Sequence, residues 1–209
     1  DIDSDTSLVL TAAGNVYINV AIDTFSVTFT ADTNWNGFED IVFTIDDQDL
    51  RFTDSDTVRV SVLAVNDAPV ITALDSVTTA EDSSAIVNLS ATNVDEDTLS
   101  FSASADTSAI TTNVDGTNLT LTPEANWNGT ANITLFVTDG SLSDTTSFVL
   151  TVTPVNDAPG IVLPNIFEFS EDGLLAVDFT PYFNDIDSDT SLVLTAAGNV
   201  YINVAIDTF

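Results

Sequence analysis

The chain has 209 residues, in which 33 acidic residues outnumber two basic ones and give a formal net charge of −31 at pH 7. This charge excludes nucleic acid and anionic membrane surfaces as partners, because both need a basic patch, and it favours divalent cations or high salt. The lack of His and Cys excludes the usual zinc sites and Ser-His or Cys-His nucleophiles. Apolar residues make up 44% of the chain, enough for folded cores, and no run is long enough for a membrane-spanning helix.

The chain contains an internal repeat. Residues 1–25 recur without a change as residues 185–209, which gives a period of 184. A half-period lies inside it: the motif NWNG at 34–37 returns at 126–129, and VNDAP at 65–69 returns at 155–159. The repeat unit is therefore two homologous domains of about 92 residues, and the chain is a window of a tandem array that opens and closes inside a domain.

Three segments follow from this repeat. Residues 1–66 are the C-terminal part of a domain that lacks its first strands, 67–157 are a complete domain, and 158–209 are the N-terminal part of the next. Apolar residues alternate with Thr, Ser and Asn, which predicts short strands with one solvated face. The fold class is all-β, with tandem seven-strand Greek-key β-sandwich domains. The strands expected in 67–157 are A near 70–77, B through Val87 and Leu89, C through Leu99, Phe101 and Ala103, D near 110–113, E through Leu119 and Leu121, F through Ile133, Leu135 and Val137, and G through Phe148, Leu150 and Val152.

The two partial domains extend the same scheme. Residues 158–209 are expected to supply strands A to D and the start of E, and residues 1–66 strands C to G. Without strands A and B, residues 1–66 would keep an open edge and half a core. We expect strands equivalent to 160–184 to come from the preceding repeat, or from a neighbouring chain by strand donation.

Each VNDAP copy is a short, stiff and acidic linker, because Pro fixes φ and pushes the preceding residue into extended geometry. Strand order in a sandwich brings loops from the two adjoining domains to each linker, so oxygen-bearing side chains should gather there. At the 65–69 linker these are Asp32, Asn34, Asn66, Asp67, Asn93, Asp95, Asp97 and Asp139. At the 155–159 linker they are Glu81, Glu124, Asn156, Asp157, Asp185, Asp187 and Asp189.

Five or six carboxylates at one linker would repel each other without a cation. Ca²⁺ takes six to eight oxygen ligands in flexible geometry, which suits carboxylates drawn from several loops, whereas Mg²⁺ needs a tighter octahedron. The pattern therefore predicts Ca²⁺ at both linkers.

These motifs, together with VTDG at 137–140 and the acidic pair Glu81-Asp82, resemble the cadherin-like tandem repeats of bacterial surface proteins and large RTX-type adhesins. The resemblance implies an extracellular array, on the cell surface or in a secreted filament of a bacterium or archaeon, that Ca²⁺ rigidifies at its junctions. The linker resembles the Asp-x-Asn-Asp-x-x-Pro element of true cadherins but lacks its first Asp, since Leu63 or Ala64 stands there. This difference implies that one Ca²⁺ site at each linker is weaker or missing. Asp32, shorter than its counterpart Glu124, implies binding through water.

Other interpretations remain open. The acids could be a halophilic coat, which predicts acids spread along strand faces rather than in loops and linkers. A sandwich face could bind glycan, a protein receptor or a like chain, besides neighbouring repeats of the same chain. A carboxylate pair could serve a glycosidase, but no cleft is implied, and we expect no enzyme. Trp35 and Trp127 could stack sugars, but they fit better as fillers of the E–F corner.

Overall fold

The computed structural model describes residues 8–48, 52–187, 192–198, 201–202 and 204–206. These residues form sixteen β-strands and one short 3₁₀ turn, Thr180–Tyr182, without an α-helix. None of them forms a helix of the length and apolar character that crossing a membrane would require. The strands are β1 Val9–Ala13, β2 Ile18–Asp23, β3 Ser26–Ala31, β4 Gly37–Asp46, β5 Thr53–Val62, β6 Val70–Ile71, β7 Val77–Ala80, β8 Ala85–Asn88, β9 Ala91–Thr92, β10 Ser100–Ala105, β11 Ile110–Asp115, β12 Asn118–Pro123, β13 Gly129–Thr138, β14 Ser143–Thr153, β15 Gly160–Ile161 and β16 Phe183–Asn184.

Strands β6 to β14 have the seven-strand Greek-key order when β6 and β7 are counted as strand A and β8 and β9 as strand B. One sheet runs β10-β13-β14-β7 and another runs β11-β12-β8, while β6 pairs with β9. β7 joins its sheet parallel to β14, and β8 lies antiparallel to β12. The expected strand A is thus two short strands in different sheets.

The alternation of apolar residues builds the core between these sheets. Leu119 and Leu121 of β12 are fully buried, as are Ile133 and Leu135 of β13 and Leu150 of β14. Fully burying a Leu or Ile side chain contributes about 1.5–3 kcal/mol. The inward positions expected for strands E, F and G are confirmed, and the fold is an all-β sandwich.

The chain forms two compact units. The first holds the described parts of residues 1–72, 90–100 and 136–145. In it, β1, β4 and β5 form one antiparallel sheet, and β2 and β3 form a hairpin. These five strands are the expected C to G of the first partial domain. Ile18 and Ile41 are its fully buried large side chains.

The second unit holds the described parts of residues 73–89, 101–135 and 146–209. Besides most of the central sandwich, it contains the pair β15–β16, with Ile161 opposite Phe183. This pair repeats the pair β6–β9, in which Ile71 lies opposite Ala91. The first strands of the third segment therefore begin as those of the second do.

One sequence adopts two structures in this chain. VLTAA forms β1 at 9–13, where each residue has a partner on β4, but the identical residues 193–197 form no strand. The expectation of strand C in the third segment is therefore wrong. A strand satisfies its backbone hydrogen bonds through neighbours, and no strand corresponding to β4 is present in the described part of that segment. The two ends of the recurring sequence, 1–7 and 207–209, lie outside the described residues.

Candidate metal centres at the two linkers

At the first linker, the chain is held by the loop between β9 and β10. The Asp67 N–H donates to Asp95 Oδ2 at 2.7 Å, and the Asp95 N–H donates to Asn93 Oδ1 at 3.1 Å. Pro69, at the end of the linker, is fully buried. The Asx turn at 93–95 therefore aims one carboxylate at the linker backbone.

The second linker repeats these bonds one for one. The Asp157 N–H donates to Asp187 Oδ2, and the Asp187 N–H donates to Asp185 Oδ1 at 3.0 Å. The amide of Asn156 donates to the Asp157 carbonyl at 3.0 Å, as that of Asn66 does to the Asp67 carbonyl at 3.4 Å. Both linkers thus share these three hydrogen bonds, although Asp185 carries a carboxylate where the first linker has the amide of Asn93.

Asp139 joins the first linker from the turn between β13 and β14. Its carboxylate accepts the N–H groups of Ser141 and Leu142, each at 2.7 Å, and the Asn66 amide at 3.0 Å. The bonds from Leu142, Asn66 and Ser141 lower the pKa of Asp139, so that this carboxylate is ionised at neutral pH. A fixed negative charge therefore lies beside the linker amide.

An open cleft of about 470 Å³ lies beside this linker. Asn34, Asn66, Asp95 and Asp97, all expected from the sequence, line it. Glu96, which the sequence argument omitted, also lines it and has a positive φ of 60°. The remaining lining residues are Asn36, Ala64 and Val94. The cleft gathers hard oxygen atoms from three parts of the chain, a donor set of the type that Ca²⁺ binds.

Glu81 anchors the second linker from the turn between β7 and β8. It is only 3% exposed, and its carboxylate accepts the Val155 N–H at 2.5 Å and the Asn128 amide at 3.4 Å. The next residue, Asp82, has a φ of 59° and accepts the Asn126 N–H at 2.9 Å. The bond from Val155 places the Glu81 carboxylate at the linker, and the bond from Asn126 ties the neighbouring Asp82 to the turn between β12 and β13. Sequence reasoning omitted Asp82 and Asn128, although both lie inside recurring motifs.

Asp157 is the residue whose surroundings fit a cation best. Its Oδ2 is buried and has no hydrogen-bond partner among the described residues. Burial, followed by the charges of Asp187, Asp82, Glu81 and Asp185, raises the pKa of Asp157. A buried anionic oxygen that feels the charges of four further carboxylates is unfavourable, because it has lost water and gained like charges. A divalent cation bound by these oxygens would reverse both effects.

The remaining expected ligands make other contacts or lie outside the described residues. Asp32 accepts the Asn19 amide at 3.1 Å, and Glu124 has an exposed side chain while its N–H donates to the Ala109 carbonyl. Asp189 lies outside the described residues. Within the described ranges, no three acidic side chains converge as a complete metal-binding cluster. A second buried polar atom without a partner there is Asn93 Nδ2 at the first linker.

The Trp residues fill corners. A Cβ added to Gly129 would lie 3.1 Å from the Trp127 ring, and one added to Gly37 would lie 3.1 Å from the Trp35 ring. Each ring therefore covers its own glycine, and the Asn and Gly residues form the turn. Trp35 also stacks on Tyr17, with ring centroids 5.3 Å apart.

The sequence of residues 65–153 matches the family model of the cadherin-like domain. A search of curated proteins gave no match. Among solved structures, protocadherin gammaB7 EC3-6, solved as a cis-dimer, has a TM-score of 0.49 and 18% identity, covering 77% of this chain and 45% of that one.

Human protocadherin-24 EC1-2 has a TM-score of 0.49 and 15% identity, covering 73% of this chain and 84% of that one. An endo-fucoidan hydrolase of glycoside hydrolase family 107 has a TM-score of 0.35 and 17% identity, covering 75% of this chain and 25% of that one. This chain thus spans only a quarter of that hydrolase and under half of protocadherin gammaB7. Residues 65–153 are therefore similar in sequence to the cadherin-like domain, and the strands in this segment have the Greek-key order.

Proposed function

We propose that this chain is a structural repeat unit of an extracellular adhesin shaft or filament, and that Ca²⁺ bound at its linkers rigidifies it. The cadherin-like domain at 65–153 supports an adhesion-type repeat module rather than an enzyme. The repeat period of 184 supports a tandem array, whose units do the same mechanical work. The proposal includes domain boundaries at residues 66 and 157. It also includes a location on a bacterial or archaeal cell surface, with neighbouring repeats as partners.

The observation that carries the calcium proposal is the unpartnered buried oxygen of Asp157. Around it lie Glu81 and Asp82 from one domain and Asp185 and Asp187 from the next. Residues from both sides of a linker would thereby bind the same cation. The bound cation would supply the positive charge that lets these carboxylates remain ionised together.

The chain itself preorganises the site. The linker N–H groups of Val155 and Asp157 hold Glu81 and Asp187 by hydrogen bonds, and these bonds fix where their free oxygen lone pairs point. Binding then costs little ordering of side chains. With Ca²⁺ removed, carboxylate repulsion would loosen the linker, which is the mechanical switch that we propose. The corresponding set at the first linker includes Asp67, Asp95 and Asp139.

The test is a calorimetric Ca²⁺ titration of the whole chain and of Asp157→Asn. The wild type should bind Ca²⁺ at both linkers, and the variant should lose binding at one of them. Asp115→Asn is the matched control, because Asp115 is the exposed last residue of β11, away from both linkers in sequence, and the variant should bind as the wild type does. A wild type that binds no Ca²⁺, or an Asp157→Asn variant with unchanged binding, would refute the proposed site.

A surface glycan or protein receptor stays a prediction of the sequence. The exposed ring of Tyr17, which stacks on Trp35, is the aromatic surface where a sugar would bind. Corner filling already accounts for Trp35, and the shaft proposal therefore comes first.

A further inference from the structure

The two linkers differ at one half-buried position, where the first has Asn93 and the second has Asp185. In both residues, Oδ1 accepts the N–H group two residues further along the chain. The donor is Asp95 at 3.1 Å in the first linker and Asp187 at 3.0 Å in the second. The turn is therefore the same, and the difference lies in the second side-chain atom, an amide nitrogen in Asn93 and a carboxylate oxygen in Asp185.

This second atom has opposite electrostatic character at the two linkers. Asn93 Nδ2 is buried and has no hydrogen-bond partner among the described residues. An amide nitrogen can only donate hydrogen bonds, so that it repels a cation and cannot serve as a ligand. The carboxylate of Asp185 can only accept, and its negative charge acts on Asp157. The first linker therefore disfavours a cation at the position where the second attracts one.

The two loops carry the same number of acids, but these are placed differently. Residues 93–97 have Glu96 where residues 185–189 have Ser188, so that each loop of five residues holds three acids. Glu96 is exposed and lines the open cleft, whereas Asp185 is half-buried. A charge acts more strongly on a cation where less water surrounds the two. The position of the charge, rather than its total, distinguishes the two linkers.

We propose that the second linker binds Ca²⁺ more tightly than the first, because Asp185 offers an oxygen where Asn93 offers an amide nitrogen. This rests on the proposed function and adds to it an order in which the linkers fill. Ca²⁺ affinity follows the number of charged ligands, and one carboxylate fewer should weaken binding at least about tenfold. Since each period of 184 residues holds one linker of each kind, tight and weak joints would alternate along an array. At intermediate Ca²⁺ concentrations, every second joint would be loose.

The test follows the N–H signals of Asp67 and Asp157 by NMR while Ca²⁺ is added to the whole chain. Each of these N–H groups donates to the loop of one linker, so that each signal reports one site. In the wild type, the Asp157 signal should change at a lower Ca²⁺ concentration than the Asp67 signal.

Two reciprocal variants compare each linker with itself, so that other differences between the linkers cancel. Asn93→Asp should lower the midpoint of the Asp67 signal about tenfold, and Asp185→Asn should raise that of Asp157 about tenfold. Asp185→Asn removes a charge and keeps the shape of the side chain, so that folding is preserved. Asn113→Asp is the matched control, because it adds the same charge at an exposed position of β11 and should change neither midpoint.

The titration separates a failure of this order from a failure of the proposed function. If neither signal responds to Ca²⁺, the proposed sites are wrong, and the order of filling is wrong with them. If both signals respond but Asp67 changes first, or either reciprocal variant keeps the wild-type midpoint, Ca²⁺ binds and only the order is overturned. An equal change in Asn113→Asp would also overturn it, because net charge alone would then explain the effect.

Discussion

Asp157 is the carboxylate through which we propose that cation binding is coupled to folding. Its raised pKa means that the folded state disfavours the ionised form. A group of this kind adds stability below its unfolded pKa, and that contribution is lost as the pH rises through the folded pKa. At pH 7 and without a divalent cation, the charge of Asp157 therefore opposes folding.

We predict that Asp157→Asn has opposite effects in two buffers at pH 7. In chelator the variant should unfold at a higher temperature than the wild type, because a buried repulsion is gone. In Ca²⁺ it should unfold at a lower temperature, because a ligand is gone. Thermal unfolding followed by circular dichroism measures both. A variant that is less stable in both buffers would show that the carboxylate is structural only.

The pKa of Glu39 is shifted in the opposite direction to that of Asp157. Burial disfavours its charge, but bonds from the N–H groups of Tyr17, Val16 and Ile18 outweigh burial and lower the pKa of Glu39. The stability that it adds is present above its unfolded pKa and is lost as the pH falls through the lower folded pKa.

Glu39→Gln should therefore destabilise the chain at pH 7, whereas the difference from the wild type should shrink as the pH falls below 4. Chemical denaturation across this pH range is the measurement, and Glu168→Gln is the control, because Glu168 is exposed and lies outside both linkers. A deficit in Glu39→Gln that stays constant with pH would contradict this explanation.

At the scale of elements, the E–F corner depends on the glycine beneath its Trp. Gly129 has a φ of 149°, and an added Cβ would meet the Trp127 ring at 3.1 Å, whereas Gly116 has a φ of 60° and open space. We expect Gly116→Ala to cost about 1 kcal/mol of unfolding free energy for the left-handed conformation alone. Gly129→Ala should cost about 1–3 kcal/mol more, because the ring must move. Urea unfolding compares the two, and equal losses would show that the ring contact is unimportant.

The elements also show what the sequence could predict. The inward residues of β12, β13 and β14 follow from period-two alternation, because each strand has one buried face. Strand A was expected as one piece near 70–77. Instead it divides into β6 and β7, since alternation says nothing about which sheet a residue joins. Residues 193–197 were expected to form a strand and do not, because their alternation supplies a face but no partner.

The linkers were predictable in part for a related reason. Asp95 and Asp187 could be placed there because the motif recurs with the linker. Asp82 was not assigned, because a positive φ at 82 turns its carboxylate towards Asn126, and no apolar period shows such a turn. Asp32 was assigned from its position, yet it bonds Asn19, a contact that depends on the pairing of β2 with β3.

The whole molecule has a net charge of −31 and two linkers with matching hydrogen bonds. We therefore expect its stability to depend on divalent cations. Monovalent salt screens exposed charges but does not replace ligands in a buried site. Comparing Ca²⁺ with Na⁺ therefore separates binding at a specific site from general screening of charge.

The most direct measurement is thermal unfolding of the chain in Ca²⁺, in chelator, and in chelator with molar NaCl. Ca²⁺ at 100 times its dissociation constant adds about 2.7 kcal/mol for each site, which corresponds to a rise in Tm of roughly 10–20 °C for a domain of about 92 residues. We predict this rise with Ca²⁺, its loss on chelation, and no recovery with NaCl. Equal Tm values in Ca²⁺ and chelator, with a rise in NaCl, would mean that the acids are a salt-adapted surface and that the linkers bind no Ca²⁺.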